Sequence, residues 1–213
     1  MIIAVDGPAA SGKGTLARRI ARELGYAHLD TGKLYRAVGM AVLREGGDPS
    51  DPAAAETAAR ALDLDTLDDP ELAGDEAALA ASKVSAVPAV RAALLETQRA
   101  FAAQRPGAVL DGRDIGTVVC PEADIKLYVT ASDEIRAQRR HKELLDSGKA
   151  SIYARVLQDL KERDARDSER SVAPMKPAED AVMLDTTVLD ADAAFAAAME
   201  HIRVAGAGNP AEQ

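Results

Sequence analysis

The chain alternates short apolar stretches with longer stretches in which apolar residues recur at helical spacing. The short stretches predict five strands, at Ile2–Asp6, Ala27–Leu29, Ala108–Asp111, Ile125–Thr130 and Val182–Asp185. The longer stretches predict helices, notably over Arg36–Arg44, Val90–Gln104, Asp133–Leu145, Tyr153–Arg166 and Ala191–Ile202. Strands that alternate with helices of this length predict an α/β fold, with a parallel sheet of about five strands and helices on both faces. Ligands of such sheets collect at the carboxyl ends of the strands.

The segment directly after the first predicted strand has the pattern G-x-x-x-x-G-K of a phosphate-binding loop. Its residues are Gly7, Pro8, Ala9, Ala10, Ser11, Gly12, Lys13, Gly14 and Thr15. Glycines let backbone N–H groups curl around an anion, and a helix that starts at Lys13 adds its positive dipole end. The alternative is a Gly-rich turn that matches by chance. The order of strand, loop and amphipathic helix argues against it, so we expect an ATP-binding loop of the P-loop NTPase type.

Gly14 occupies the position at which many P-loop proteins carry a Mg²⁺-binding Ser or Thr. Lys-Gly-Thr is similar to the loop of nucleoside monophosphate kinases, in which nucleotide and water hold most of the metal. We therefore expect Mg²⁺ to arrive with ATP, and we assign no residue as a metal ligand. A regulatory switch that binds nucleotide is the rival class, and both Gly14 and the absence of a guanine-recognition motif weigh against it.

Two further polar clusters follow predicted strands, at residues 30–36 and 111–114. In the first, Thr31 is placed like a helix N-cap, and Arg36 near a helix start favours a bound anion. In the second, the glycine of Asp-Gly-Arg-Asp suggests backbone crowding against a ligand. Capping alone, or a turn with one internal ion pair, would explain the same residues. Both clusters fall where the sheet should bind ligands, which favours phosphate binding.

Arg163, Asp167 and Arg170 are spaced to share one face of a predicted helix. A solvated ladder of salt bridges is the usual meaning of such a pattern. Phosphoryl transfer depends on positioning and charge neutralisation, however, and therefore requires arginines. The same two interpretations stay open for Arg136, Arg139 and Arg140.

Composition restricts the classes of partner. A formal net charge of −9 argues against nonspecific nucleic-acid binding, because phosphate neutralisation is its main energy source. Cys120 is the single cysteine, which excludes an internal disulfide. No apolar run of membrane-spanning length is present, so we expect no membrane contact and a cytoplasmic protein. The acidic stretch Asp63–Glu76 predicts an exposed insert, and residues 206–213 predict a disordered tail.

Taken together, these segments resemble the bacterial cytidylate kinase family over nearly the whole chain. The most specific matches are Ala81-Ser82-Lys83-Val84 with Pro88-Ala89-Val90-Arg91, then residues 111–117, and Arg163-Asp164 through Arg170-Ser171-Val172-Ala173-Pro174. The resemblance implies one P-loop kinase domain over 1–205, with a monophosphate-binding insert around 33–100 and a short lid near 142–155. It implies phosphate transfer from ATP to CMP or dCMP, by a monomer. Rival acceptors on the same fold are UMP, AMP and shikimate.

The resemblance also implies roles for individual residues. The implied CMP site consists of Thr31, Tyr35, Arg36, Ser82, Arg91, Gly112, Arg113, Asp114, Arg163, Asp167 and Arg170. The residues implied to act on the transferring phosphates are Lys13, Arg113 and Arg170. Asp114 suits the cytosine amine, as an acidic side chain does in DNA recognition. Two departures from the family pattern are Lys33, where a small residue is common, and Ala73-Gly74 in a short insert, where an arginine-containing stretch is usual.

Overall fold

The computed structural model describes residues 1–207 and contains one five-stranded parallel sheet, as the sequence predicts. The strands are β1 (Ile2–Asp6), β2 (Ala27–Asp30), β3 (Ala108–Gly112), β4 (Ile125–Thr130) and β5 (Val182–Asp185). They lie in the order β2-β3-β1-β4-β5, so β1 is central. In the register, Asp6 is opposite Gly112 and Asp30 is opposite Asp111. The carboxyl ends of β1, β2 and β3 therefore meet at one edge.

Eight α-helices connect and cover these strands in the described part of the chain. They are α1 (Lys13–Leu24), α2 (Thr31–Arg44), α3 (Pro52–Arg60), α4 (Asp75–Val84), α5 (Pro88–Ala102), α6 (Asp133–Asp146), α7 (Tyr153–Glu169) and α8 (Ala191–Ala207). Short 3₁₀ turns at Leu64–Asp68 and Pro70–Ala73 and a π-turn at Ile115–Val119 complete the elements. Of the predicted tail, residues 206 and 207 continue α8, and 208–213 lie outside the described residues.

Helices cover both faces of the sheet, which confirms the predicted α/β architecture. On one face, Leu16 and Ile20 of α1 and Ile202 of α8 pack against Val5 and neighbouring strand residues. On the other face, the end of α5 and the Ile115–Val119 turn pack against Leu110. Among residues 1–207, no single helix is long and apolar enough to cross a membrane, and one bent pair, α4 with α5, meets that test by length and composition only.

The crossover from β2 to β3 consists of α2 to α5, which form a helical insert with a core of its own around Leu34, Val84 and Leu94. α3 lacks the large apolar residues whose spacing would predict a helix. The start of α3 is marked instead by a local capping signal. The Asp51 side chain accepts a hydrogen bond from the Ala53 N–H, and Pro52 fills the first helical position.

The acidic stretch 63–76 is not simply an exposed insert, contrary to expectation. Leu72 is buried against Ala37 and Met40 of α2. Arg44 lies 2.5 Å from the carboxylates of both Asp69 and Glu71. An apolar anchor and ion pairs with α2 thus hold this stretch against the rest of the insert.

Candidate functional site

The backbone of the phosphate loop requires glycine at particular positions. Gly7 and Gly12 have φ of 148° and 91°, in the region that favours glycine. A Cβ on Gly7 would lie 2.0 Å from the Val129 carbonyl oxygen, so no side chain fits there. Ala10 also has a positive φ, of 58°. The loop therefore curls between β1 and α1 as the motif predicts, and it presents the helix N-terminus to the sheet edge.

Lys13 is buried inside this loop and donates a hydrogen bond to the Pro8 carbonyl over 3.1 Å. Burial, together with the nearby Arg113 cation, lowers the pKa of Lys13 from 10.5 to about 7, although Asp111 and Asp30 oppose the shift. A buried ammonium with so little compensation is well suited to bind an anion.

A cavity of about 190 Å³ opens at the carboxyl ends of the strands, in front of Lys13. The predicted residues that line it are Ala9, Ala10, Lys13, Gly14, Thr31, Tyr35, Arg36, Arg91, Gly112, Arg113, Asp114, Arg163, Asp167 and Arg170. Among the residues that the sequence analysis did not assign, Asp30, Ser85 and Asp111 also line it. The two aspartates lie side by side at the carboxyl ends of adjacent strands, and that position was the signal that could have found them.

Asp114 lies at the centre of a charged cluster on one side of the cavity. Its Oδ2 accepts a hydrogen bond from Arg91, and its Oδ1 lies 3.4 Å from Arg170. Arg91 in turn lies over the Tyr35 ring, with its guanidinium carbon 5.4 Å from the ring centroid. The Asp114 carboxylate is therefore buried between two fixed cations, with no ion pair inside its own turn.

Arg113 points away from its neighbouring aspartates and lies 3.1 Å from Asp167 of α7. Burial would raise the pKa of Asp167, but Arg113 and Arg163 hold it below its ordinary value. Asp167 is buried and the two arginine side chains are less than one fifth exposed, so the solvated ladder is the wrong interpretation. Arg170 also leaves the predicted helix face: α7 ends at Glu169, and Arg170 has an extended backbone.

The structure gives Thr31 and Gly112 local roles other than the ones that the sequence suggests. Thr31 does not cap α2, because its hydroxyl donates to the Asp111 carbonyl over 2.8 Å and Asp30 precedes the helix instead. At Gly112, a Cβ would lie 2.6 Å from the Thr31 hydroxyl and 2.8 Å from Ile115. Packing inside the protein therefore already requires glycine at this position, which also lines the cavity.

Arg36 enters the cavity from α2. The helix begins at Thr31, so Arg36 lies in its second turn and the expected conflict with the helix dipole is absent. One guanidinium nitrogen donates to the Leu72 carbonyl over 3.1 Å, while the buried Nε has no partner in the described part of the chain. Burial lowers its pKa. Lys33 lies apart from this group, 3.4 Å from Asp68 in the acidic stretch.

Ser82 is the predicted acceptor-site residue that does not line the cavity. It is buried behind the lining, and its hydroxyl accepts a hydrogen bond from Arg166 of α7 over 3.2 Å. This contact joins α4 to α7 beside the Asp114 cluster. Neither its partner nor its geometry was evident from the sequence.

Asp6, at the end of β1, was also missed as part of the site. Its two oxygens accept hydrogen bonds from the Ile115 and Gly116 N–H groups, each over 2.8 Å. Burial raises the pKa of Asp6 to about 6, although these two hydrogen bonds counteract the rise. Asp6 thereby fixes the turn that carries Asp114.

A second cavity, of about 240 Å³, lies on the other side of the phosphate loop. Ser11, Gly12 and Thr15 line it, together with Arg139 and Thr186. Arg139 donates to the Thr186 carbonyl over 2.7 Å and to the Ser11 carbonyl over 3.3 Å. These hydrogen bonds hold the Arg139 guanidinium at the wall of the second cavity.

The contacts of the other two arginines of α6 give each of them a structural role. Arg136 is buried, donates to the Ala9 carbonyl over 3.1 Å and pairs with Asp164 at 2.6 Å, so it supports the phosphate loop from behind. Arg140 pairs with Asp75 at the start of α4 and with Glu143 on its own helix.

Within residues 1–207, no cluster of three His, Cys, Asp or Glu side chains is arranged to hold a metal ion. A divalent cation carried by a nucleotide would instead meet Asp30 and Asp111, whose carboxylates line the cavity beside Lys13. Carboxylate oxygens suit Mg²⁺, which usually keeps several waters and takes its remaining ligands from phosphates. The residues present therefore fit a nucleotide-bound Mg²⁺.

An anion-binding loop that faces a second set of cations across one cavity is the arrangement of a P-loop kinase whose acceptor also carries a phosphate. Comparisons with known proteins narrow this class. The sequence model described as cytidylate kinase matches residues 3–204. A cytidylate kinase from Paramagnetospirillum magneticum is 64% identical over 201 residues, which are 93% of this chain and 95% of that protein.

A second cytidylate kinase, from Rhodospirillum rubrum, is 62% identical over 204 residues, or 94% of this chain and 96% of that protein. The chain belongs to the cytidylate kinase family. Among solved structures, an uncharacterized protein from Eubacterium ventriosum shares the fold with a TM-score of 0.55 at 15% identity, over 96% of this chain and 98% of its own.

Proposed function

We propose that the chain transfers the γ-phosphate of Mg²⁺·ATP to CMP or dCMP. Membership of the cytidylate kinase family supports the reaction class, and the cavity supports the acceptor. The observation that carries the acceptor is Asp114, a buried carboxylate held between Arg91 and Arg170 in the cavity that Lys13 also lines.

Cytosine has an exocyclic amine that needs an acceptor, and a ring nitrogen and carbonyl that need donors. Asp114 supplies the acceptor, and Arg91 beside it supplies donors. The acceptor phosphate then lies toward Arg36, whose buried Nε has no partner in the described residues, and toward Arg113. Arg163 and Asp167 remain for the sugar, and Ser82 supports the base from behind the cavity wall.

The chemistry requires positioning more than proton transfer. An oxygen of the acceptor phosphate attacks the γ-phosphorus in line, a new O–P bond forms, and the bond to the oxygen between the β and γ phosphorus atoms breaks, releasing ADP. The nucleophile is already anionic, so no general base is needed. Lys13, Arg113 and Arg170 hold the reactants and spread the negative charge as it moves.

The donor nucleotide lies across the phosphate loop. Its phosphates bind at residues 7–15, and its adenine occupies the second cavity against the face of Arg139, which favours a flat aromatic ring. Mg²⁺ would be held by the phosphates, by water and by the nearby Asp111 and Asp30 carboxylates, and it would neutralise charge on the phosphates.

Closure of the insert and of the lid over the substrates should exclude water from this reaction. The insert around 33–100 and the lid near 142–155, which spans the connection between α6 and α7, are the proposed closing segments. Arg140 and Arg166 already link α6 and α7 to the insert, through Asp75 and Ser82.

Asp114→Asn tests the acceptor, because an amide offers both a donor and an acceptor where the carboxylate only accepts. In a coupled assay with CMP, dCMP, UMP, AMP and shikimate, we expect wild type to favour the cytidine nucleotides. The variant should lose kcat/KM for CMP and reduce the CMP-to-UMP preference; a site with buried polar groups reaches ratios of about 10⁴. Asp159→Asn, on an exposed position of α7, is the matched control. A preference for AMP or UMP in wild type would refute the assignment.

A further inference from the structure

His28 contacts a carboxylate of the active cavity without lining the cavity itself. Its Nε2 lies 2.8 Å from Asp111 Oδ1, with the two side chains 18% and 5% exposed. In the sheet, His28 of β2 is opposite Val109 of β3, so Asp111 is the next residue on the same face toward the carboxyl end. The contact therefore crosses from one strand to its neighbour, and the sequence analysis gave His28 no role.

The other oxygen of Asp111 faces the phosphate loop. A Cβ on Gly14 would lie 3.6 Å from Asp111 Oδ2, which places this oxygen next to the loop where the motif often has a hydroxyl. The main chain of Asp111 is fixed as well, because its carbonyl accepts the Thr31 hydroxyl over 2.8 Å. Backbone and Oδ1 are thus held from the side of β2, and only Oδ2 is turned toward the ligand.

We propose that His28 is a positioning residue, which fixes the Asp111 carboxylate so that Oδ2 accepts hydrogen bonds from the water shell of nucleotide-bound Mg²⁺. This inference rests on the proposed Mg²⁺·ATP site. The Nε2–H group of His28 donates to Oδ1 and prevents rotation of the carboxylate. Without that bond the carboxylate is free to turn toward Lys13, which lines the same cavity, and to compete with the phosphates for it. Hydrogen-bonded partners behind a metal-binding group commonly change affinity or activity 10- to 100-fold.

His28→Gln and His28→Leu separate the donor from the shape. The Gln amide nitrogen reaches the place of Nε2 and can donate, whereas Leu fills similar space with no donor. The measurement is the calorimetric Kd for a non-hydrolysable ATP analogue, with Mg²⁺ and with excess EDTA. His201→Leu, at an exposed position of α8, is the control for loss of a histidine. Thermal unfolding of each variant verifies that it is folded.

We expect Mg²⁺ to tighten binding to wild type, His201→Leu and His28→Gln by similar factors. In His28→Leu this Mg²⁺ advantage should fall about tenfold, while Kd in EDTA stays the same. If His28→Leu keeps the full Mg²⁺ advantage, or weakens binding equally with and without Mg²⁺, the inference is wrong and the proposed reaction is untouched. A wild type that shows no Mg²⁺ advantage yet phosphorylates CMP likewise overturns it. Failure of wild type to phosphorylate CMP would refute the proposed function instead.

Discussion

The two walls of the active cavity are built in different ways. The wall at the sheet edge is supported by fixed backbone behind it: Gly7 and Gly12 of the phosphate loop have positive φ, and the Asp6 carboxylate accepts hydrogen bonds from two main-chain N–H groups of the turn that carries Asp114. The wall formed by the insert is made by side chains. Arg36 donates to the Leu72 carbonyl, and Arg44 holds the acidic stretch through the carboxylates of Asp69 and Glu71.

We therefore expect the two walls to differ in how well they tolerate substitutions. Backbone geometry at the sheet edge leaves no alternative arrangement, because a close contact or a positive φ excludes most residues. Ion pairs near the surface of the insert contribute little to stability and are screened by salt. The sheet wall should therefore hold the reacting phosphates rigidly, while the insert wall moves to admit and release the acceptor.

Lys13→Met should have the largest effect, because it removes the single buried cation of the phosphate loop without removing packing. We expect kcat/KM to fall by about 10²–10³, as for loss of one oriented electrostatic donor. Steady-state assays with ATP and CMP measure the loss, and thermal unfolding should show a folded protein. Near-normal kcat/KM would mean that the sheet wall does not bind the donor phosphates.

Gly7→Ala tests the backbone wall directly. Its Cβ would lie 2.0 Å from the Val129 oxygen at a φ that side chains rarely adopt, so we expect about 3 kcal/mol lower stability in denaturant unfolding. The matched change in the insert is Gly74→Ala, where φ is −73° and the nearest atom to a Cβ is 3.2 Å away. That variant should stay within about 1 kcal/mol of wild type. Equal losses in the two variants would contradict the contrast between the walls.

The pH dependence of Lys13 gives a smaller, measurable effect on binding. Its pKa in the free protein is about 7, against 10.5 when unfolded, so the unfolded chain binds more protons between these values. The lowered pKa of Lys13 therefore makes a contribution to the free energy of unfolding that is present above the unfolded pKa of 10.5. That contribution is lost as the pH falls through about 7.

Bound phosphates favour the ammonium form, so ATP binding at about pH 8.5 should take up close to one proton. Calorimetry in two buffers of different ionisation enthalpy measures the uptake, and Lys13→Met should abolish it. If uptake persisted in that variant, another group would be responsible for it.

The phosphate loop could be predicted from the sequence, but the side-chain contacts around it only in part, because the loop depends on a local pattern and the contacts depend on the tertiary fold. Glycine at fixed spacing after a strand has few structural meanings, so the phosphate loop followed from local pattern. Asp114 and Arg170 were singled out by their positions and given roles by family resemblance, but their contact depends on a backbone that leaves the helix at Glu169. The contacts of Ser82 with Arg166 and of His28 with Asp111 join residues distant in sequence, and no local pattern specifies such pairs.

The ion pair of Arg140 with Asp75 connects the insert to α6 and offers the smallest expected effect. Asp75 is 61% exposed, so Asp75→Asn should change unfolding free energy by less than about 1 kcal/mol. If the pair favours closure over the acceptor, KM for CMP should rise about twofold with kcat unchanged, and the difference should vanish in high salt. Asp65→Asn is the control, because Asp65 is exposed in the same stretch and makes no ion pair within the described residues. A large fall in kcat for Asp75→Asn would show instead that the insert wall takes part in the chemistry as firmly as the sheet wall.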